Sequence, residues 1–263
     1  ATVTITLTGT DDPPVITGLT PSAQGGDAVV DEDDLSDGSD TTKESLTVTG
    51  SFSISAPDGI DDLVVGGINV FVNGVFQAGA TGTTPLGNTI TFTSYNAATG
   101  EVSYSYTLVD NEAHPTGAGE NSLFDDMTVT LTDTDGDVAT DTLSVRIVDD
   151  VPAANDDSYV IFEGDSDNAI SFDVDLNDVP GADGTGSRTF TSLTGTYGTI
   201  TLNGDGTQTY TLNATGIAAI NGLAPGATLT DTFTYTLTDG DGDSDPATVT
   251  ITLTGTDDPP VIT

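Results

Sequence analysis

Thr232-Phe233-Thr234-Tyr235-Thr236-Leu237 alternates apolar residues with Thr, the period-two pattern of a strand buried on one face. It runs through Thr238 into the turn Asp239-Gly240-Asp241-Gly242-Asp243, and then into a second alternating run, Thr248-Val249-Thr250-Ile251-Thr252-Leu253. Two such runs joined by Asp-Gly residues read as a β-hairpin. Val, Ile, Leu and the aromatic residues point into a core while Thr faces water. The same signal recurs upstream. Ser45 to Thr49, Ile68 to Val72, Thr89 to Thr93, Val102 to Tyr106, Met127 to Leu131 and Thr142 to Val148 form one set. Tyr159 to Phe162, Ile170 to Val174, Thr199 to Leu202 and Gln208 to Leu212 complete the set to which the hairpin belongs. Only Thr215 to Ile220 suggests a helix. Short alternating strands between Gly, Asn and Asp turns predict an all-β chain of antiparallel β-sandwiches. Tyr104, Tyr106, Phe233 and Tyr235 are expected in the cores.

Repeats set the boundaries. Ala1 to Thr17 recurs unchanged as Ala247 to Thr263, an offset of 263 − 17 = 246 residues. A repeat of that length holds whole domains and implies a tandem array. A weaker echo relates Leu131-Thr132-Asp133-Thr134-Asp135-Gly136-Asp137 to Leu237-Thr238-Asp239-Gly240-Asp241-Gly242-Asp243. Asp-Asp-Pro junctions at Asp11-Asp12-Pro13, Asp149-Asp150-Val151-Pro152 and Asp257-Asp258-Pro259 bracket two modules. The expected organisation is 1–12 as the last strand and linker of a preceding repeat, 13–152 as module one and 153–263 as module two. The first residues read as the middle of a strand, so the chain is expected to be a piece of a longer one.

The chain carries 42 Asp plus Glu against 3 Lys plus Arg, a formal net charge of −39. Such a surface repels phosphate, which excludes nucleic acid and disfavours anionic membranes as partners. No apolar run is long enough to span a bilayer as a helix. Hydrophobic residues at 35% in strand-like runs oppose the disorder that acidity often brings. There is no Cys, so neither a disulfide nor a thiolate metal site can hold the fold.

The acids cluster where strand counting puts loops. In a seven-strand sandwich the B–C and F–G loops share the pole at which the chain enters. The F–G turn Asp239, Asp241 and Asp243 and the B–C corner Asp175, Asn177 and Asp178 should therefore face the linker Asp149, Asp150, Asn155, Asp156 and Asp157. Module one adds Glu32, Asp110 or Asp125 near its E–F corner, and the turn Asp133, Asp135 and Asp137. The remaining junctions supply Asp11, Asp12, Glu163, Asp257 and Asp258. Ca2+ takes six to eight oxygen ligands, and carboxylate-dense loops suit it better than Mg2+, which keeps its waters. Several Ca2+ ions, chiefly at inter-domain joints, are thus expected. Without a cation, neighbouring carboxylates repel by roughly 1–4 kcal/mol per pair. The Asp133 turn is not an EF-hand loop, because Gly136 falls at the fourth position and Ser144 at the twelfth. Replacing Asp149 and Asp150 by Ala is expected to lower melting temperature in Ca2+ and to change little in chelator.

Module one resembles the repeats of giant bacterial adhesins exported by type I secretion, through Tyr104-Ser105-Tyr106-Thr107-Leu108-Val109-Asp110-Asn111-Glu112-Ala113-His114-Pro115 and the turn and junction that follow. Module two resembles the cadherin-like, VCBS-type repeats of the same proteins, through Asn155-Asp156-Asp157, Asp175-Leu176-Asn177-Asp178 and the run from Thr234 to Asp243. The resemblance implies two tandem Ig-like (cadherin-like) sandwiches in the extender region of an RTX adhesin, at the bacterial cell surface. It further implies stiffening by extracellular Ca2+, projection of a distal ligand-binding region for adhesion and biofilm formation, and neighbouring repeats as the only partners of a monomeric chain. The alternative is a module that itself grips a glycan or protein. An enzyme is not expected: His114, the single histidine, sits in a Pro-Gly loop and reads as a hydrogen-bonding residue. The Thr-x-Thr runs suggest an ice-binding face, but a twisted sandwich lacks the flat ladder that ice requires.

Overall fold

The computed structural model describes residues 2–5, 12–116, 119–165 and 168–257. The chain divides into two compact units. The first comprises Ala1–Ser36, Asp40–His114 and Glu120–Asp149; the second comprises Asp150–Thr263 with Asp37–Ser39 and Pro115–Gly119.

Among the described residues, eleven strands build the first unit: β1 (Val15–Thr17), β2 (Ala28–Asp31), β3 (Thr47–Ser55), β4 (Ile60–Val65), β5 (Ile68–Val72), β6 (Val75–Phe76), β7 (Thr81–Thr83), β8 (Thr89–Asn96), β9 (Glu101–Thr107), β10 (Ser122–Asp133) and β11 (Val138–Val148). They form a five-stranded sheet, β1-β3-β9-β8-β7, and a six-stranded sheet, β2-β11-β10-β4-β5-β6. Alternation does what the sequence requires: Met127, Val129 and Leu131 of β10 are buried while the Thr residues between them are not. Phe52, Phe92, Tyr104 and Tyr106 fill the core from the other sheet.

Among the described residues, seven strands build the second unit: β12 (Asp157–Phe162), β13 (Ala169–Phe172), β14 (Thr185–Phe190), β15 (Gly198–Leu202), β16 (Gln208–Leu212), β17 (Thr228–Asp239) and β18 (Ser244–Thr254). Their sheets are β12-β18-β17-β14 and β13-β16-β15. Phe233, Tyr235, Val249, Ile251 and Leu253 meet Tyr210, Ile200 and Phe172 in one hydrophobic core. An α-helix, α1 (Ala214–Ile220), follows β16, its first turn capped by Asn213, which accepts from Gly216 N at 2.9 Å.

Both units are Ig-like β-sandwiches, so the fold class read from the sequence holds. One detail differs in each. One strand pair in each unit is parallel, β2 with β11 and β12 with β18. Period-two alternation is the same for parallel and antiparallel partners, so the pattern could not reveal it. The strand expected at Ile170 to Val174 ends at Phe172, and Val174 opens a 3-10 turn capped by Asp173.

Candidate metal centres

The turns between β10 and β11 and between β17 and β18 have the same construction. Asp133 Oδ1 accepts from Gly136 N at 3.0 Å and Asp137 N at 2.8 Å, while Asp133 N donates to Asp137 O at 3.1 Å. Asp239 Oδ1 accepts from Gly242 N at 2.9 Å and Asp243 N at 2.7 Å, and Asp239 N donates to Asp243 O at 3.0 Å. Gly136 and Gly242 sit at φ 102° and 105°, where a side chain is disfavoured. One carboxylate oxygen of each leading Asp thus organises the turn. The other, Oδ2, is buried without a hydrogen-bond partner among the described residues.

Other acids gather beside each leading Asp. Asp133 stands with Asp58 and Asp135, and Asp239 with Asp241 and Asp243; within each trio one ligand atom per residue lies within 4.8 Å of the others. Both oxygens of Asp241, and Oδ2 of Asp243, are also buried without a partner among the described residues. Burial raises the pKa of Asp239 to about 7, with Asp241 adding to the rise against the two amides that lower it. Asp133 lies below the ordinary carboxylate value: its desolvation is outweighed by Asp135 and the turn amides. Around Asp239 several buried oxygens lack a donor among the described residues, which suits a hard divalent cation, whereas around Asp133 only Asp133 itself is buried and Asp58 and Asp135 are exposed. Asp58 joins from the loop before β4, a residue that counting strands in module one would have found. Asp12 N donates to Asp58 Oδ2 at 3.1 Å, which places the entering linker at the same pole. Asp137 contributes its backbone to the turn. Another exposed-to-half-buried trio, Asp34, Asp40 and Glu44, was not anticipated either.

In the second unit the linker and the B–C corner meet as expected. Asn155 N donates to Asp178 Oδ1 at 2.7 Å, and Asn155 Nδ2 to Asn177 O at 2.7 Å. Asn177 Nδ2 donates to Asp156 O at 3.2 Å, and Asp156 Oδ1 accepts from Thr248 N at 2.8 Å. Tyr235 Oη lies 3.0 Å from both oxygens of Asp178. Burial raises Asp157, opposed first by the Tyr159 hydroxyl and reinforced by Asp178. Asp175 lies apart, paired with Arg188. Asp150 is buried but supplied by protein: Oδ2 accepts from Ser39 N at 2.8 Å and Ala182 N at 2.9 Å, and Oδ1 accepts from Ser39 Oγ.

Topology explains a different assembly at the other pole of the first unit. The parallel pairing puts the end of β2 beside the end of β11, and the β9–β10 connection crosses the same pole. Glu32, His114 and Asp149 are thereby brought together, all buried, again with one ligand atom each within 4.8 Å. Glu112 N donates to Glu32 Oε1 at 2.7 Å, and His114 Nε2 lies 3.3 Å from the same oxygen. Desolvation would lower the His114 pKa, but Glu32 and Asn121 hold it up to about 9. Asp110 remains exposed in this loop, where its Oδ1 caps Asn111 N at 3.1 Å. Asp125 is not a corner residue. It lies inside β10, fully buried, and accepts from Tyr106 Oη at 2.9 Å and from Thr84 Oγ1.

At the exit of the second unit, Glu163 Oε2 accepts from Thr256 N at 3.0 Å, next to the exposed Asp257. Asp11 and Asp258 lie outside the described residues.

Residues 149–255 match the bacterial cadherin-like domain. No curated protein matches the chain. Among solved structures it is similar to the N-terminal Ig1-2 module of the Drosophila receptor protein tyrosine phosphatase DLAR, at 11% identity and TM-score 0.28, over 92% of this chain and 99% of that one. It is similar also to zebrafish RET cadherin-like domains 1 to 4, at 11% identity and TM-score 0.31, over 93% of this chain and 52% of that one. A third is mouse clustered PcdhgC3 EC1-3, at 11% identity and TM-score 0.28, over 80% of this chain and 77% of that one. The chain thus spans about half the length of the RET structure. Among the described residues no helix is long and apolar enough to cross a membrane. Over residues 149–255 the chain is similar to bacterial cadherin-like domains, an adhesion-type module typically displayed outside the cell.

Proposed function

We propose that this chain is a Ca2+-stiffened extender segment of a bacterial surface adhesin, one period of a tandem array that holds a distal ligand-binding region away from the cell. The observation that carries the reading is the repeated hairpin turn. In each unit its leading Asp spends one oxygen on the turn, keeps the other buried and without a donor among the described residues, and stands beside further carboxylates. A cation supplied from outside completes such a site, and an extracellular module meets Ca2+ in abundance. The 246-residue period supports a spacer, since length then scales with copy number. Each unit adds about 40 Å, from the 12 residues of β17 at about 3.3 Å each. Surface display by type I secretion and a part in biofilm formation belong to this reading through the resemblance of the repeats.

Melting and small-angle scattering of the whole chain in Ca2+ and in chelator test it. Ca2+ at 100 times its Kd adds about 2.7 kcal/mol per site, a rise of about 10 °C in the melting of a unit this size. Asp133→Asn and Asp239→Asn each remove the gain of their own unit. Superposable melting and scattering curves with and without Ca2+ would sink the proposal.

A further inference from the structure

We propose that Glu32, His114 and Asp149 form a binding site for a borderline divalent metal ion of the Zn2+ class, chemically distinct from the oxygen-only Ca2+ sites. The donor set is one imidazole nitrogen and two carboxylates. Imidazole suits Zn2+ and its neighbours in the first transition row, whereas Ca2+ takes oxygen.

The protonation pattern of the histidine points the same way. Asn121 Nδ2 donates to Asp149 Oδ2 at 2.8 Å, which turns Asn121 Oδ1 toward His114 Nδ1 at 3.1 Å. An amide oxygen only accepts, so Nδ1 carries the proton and Nε2 is the nitrogen left to face Glu32. A histidine that ligates a metal commonly donates its other N–H in this way, to an acceptor that fixes tautomer and ring orientation.

Nε2 and Glu32 Oε1 stand 3.3 Å apart. Their geometry does not make a hydrogen bond, and Nε2 has no hydrogen-bond partner among the described residues. Glu32 Oε2 has none either, although Glu32 is fully buried. Two ligands on a tetrahedral Zn2+, each about 2.0 Å from the metal, lie about 3.3 Å apart. The pair therefore has the spacing of two ligands on a shared ion and lacks the alignment of a donor on its acceptor. The carboxylates favour the imidazolium in the metal-free site, and the ion displaces the Nε2 proton when it binds. Glu112 N also donates to Glu32 Oε1 and helps fix the carboxylate in place. Water would complete the tetrahedron, since three protein ligands are present.

Titration of the whole chain with Zn2+ and with Co2+, in saturating Ca2+ so that the surface carboxylates are occupied, tests the site. One ion per chain binds, and Co2+ develops the visible ligand-field absorption of a four-coordinate nitrogen and oxygen site. His114→Asn abolishes both signals. Glu32→Gln weakens binding strongly, and Asn121→Ala weakens it about 10-fold through the outer shell. His114→Gln serves as a second variant should His114→Asn fail to fold, and circular dichroism without Zn2+ checks both. Unchanged Zn2+ binding in the histidine variants would assign the ion to stray carboxylates and overturn the proposal. So would imidazole 15N shifts showing a doubly protonated ring in the presence of Zn2+. Neither outcome bears on the Ca2+ reading, which is judged by melting in Ca2+ alone.

Discussion

Asp231→Ala in β17 should be among the most damaging substitutions in the second unit, in Ca2+ and in chelator alike. The carboxylate is 3% exposed. Oδ1 accepts from Thr196 N at 2.8 Å; Oδ2 accepts from Tyr197 N at 2.8 Å, Gly198 N at 3.0 Å and Tyr210 Oη at 2.7 Å. Four donors are orphaned when the side chain is cut back. At the low end of about 1 kcal/mol for each buried donor, the loss is about 4 kcal/mol. For a unit of this size that lowers the melting temperature by about 15 °C. Two controls grade the effect. Asp231→Asn keeps an acceptor in the Oδ2 position and turns an amide only against Thr196 N, so it costs about 1–2 kcal/mol. Tyr210→Phe removes one donor and leaves the other three in place, for about 1 kcal/mol. Calorimetry of the whole chain, following the second unit's transition, measures all three. Were Asp231→Ala no worse than Tyr210→Phe, the carboxylate would not be the hub the distances describe, and the reasoning would fail.

Asp125 occupies the equivalent place in β10 but has only Tyr106 Oη and Thr84 Oγ1 as donors, with Oδ1 buried and unpartnered among the described residues. Asp125→Asn should therefore cost less than Asp231→Asn, by calorimetry of the first unit. Asp150→Ala orphans three donors from Ser39 and Ala182 and should cost about 3 kcal/mol in chelator, contrary to the expectation from sequence; an unchanged melting curve in chelator would refute the assignment. Gly186→Ala places a Cβ 1.8 Å from Asp239 O, which should cost about 2 kcal/mol and shrink the Ca2+-induced rise in melting by disturbing the turn. Burial first, and nearby carboxylates next, raise Tyr104, Tyr106, Tyr210 and Tyr235 above the ordinary value of 10. Their contribution to stability is whole below pH 10 and falls above it, by about 1.4 kcal/mol per group per pH unit. These are four of the chain's seven tyrosines; their share of the tyrosinate absorbance should thus rise only with loss of circular dichroism, and ionisation of all seven near pH 10 in an intact fold would contradict it.

Much of this was legible because period two is a strict rule. Phe233, Tyr235 and Leu237 fix the inward face of β17, and the same parity carries Asp231 and Asp239 inward at its two ends. Met127, Val129 and Leu131 do likewise for Asp125 and Asp133 in β10. Strands placed by a neighbour were not legible. In β14, Thr185 to Phe190 contains one large apolar residue and an arginine, and it is a strand because β17 offers it an edge. The B–C and F–G acids could be assigned to a pole by counting strands. Which of them meets a protein donor could not. Asp150 and Asp239 both stand in acidic motifs, yet Ser39 and Ala182 satisfy one while nothing among the described residues reaches Oδ2 of the other. That distinction depends on backbone amides brought from distant loops, as does the meeting of Glu32 with His114.

The parallel pairing at the edge of each sandwich bears on how such a segment carries load. Tension along the chain enters the second unit near β12 and leaves beyond β18, and these strands run side by side in the same direction from Asp157 opposite Val249 to Phe162 opposite Thr254. Pulling the two ends apart slides one strand along the other, so their cross-links share the strain together and do not open one by one as in a zipper. In the first unit β2 and β11 also run in parallel, but β1 precedes β2 and pairs antiparallel with β3 in the other sheet. Forced unfolding is governed by the rate of escape from the folded state and not by equilibrium stability. If the chain serves as the extender proposed above, such a pairing lets it resist a sudden pull more firmly than its melting temperature would suggest.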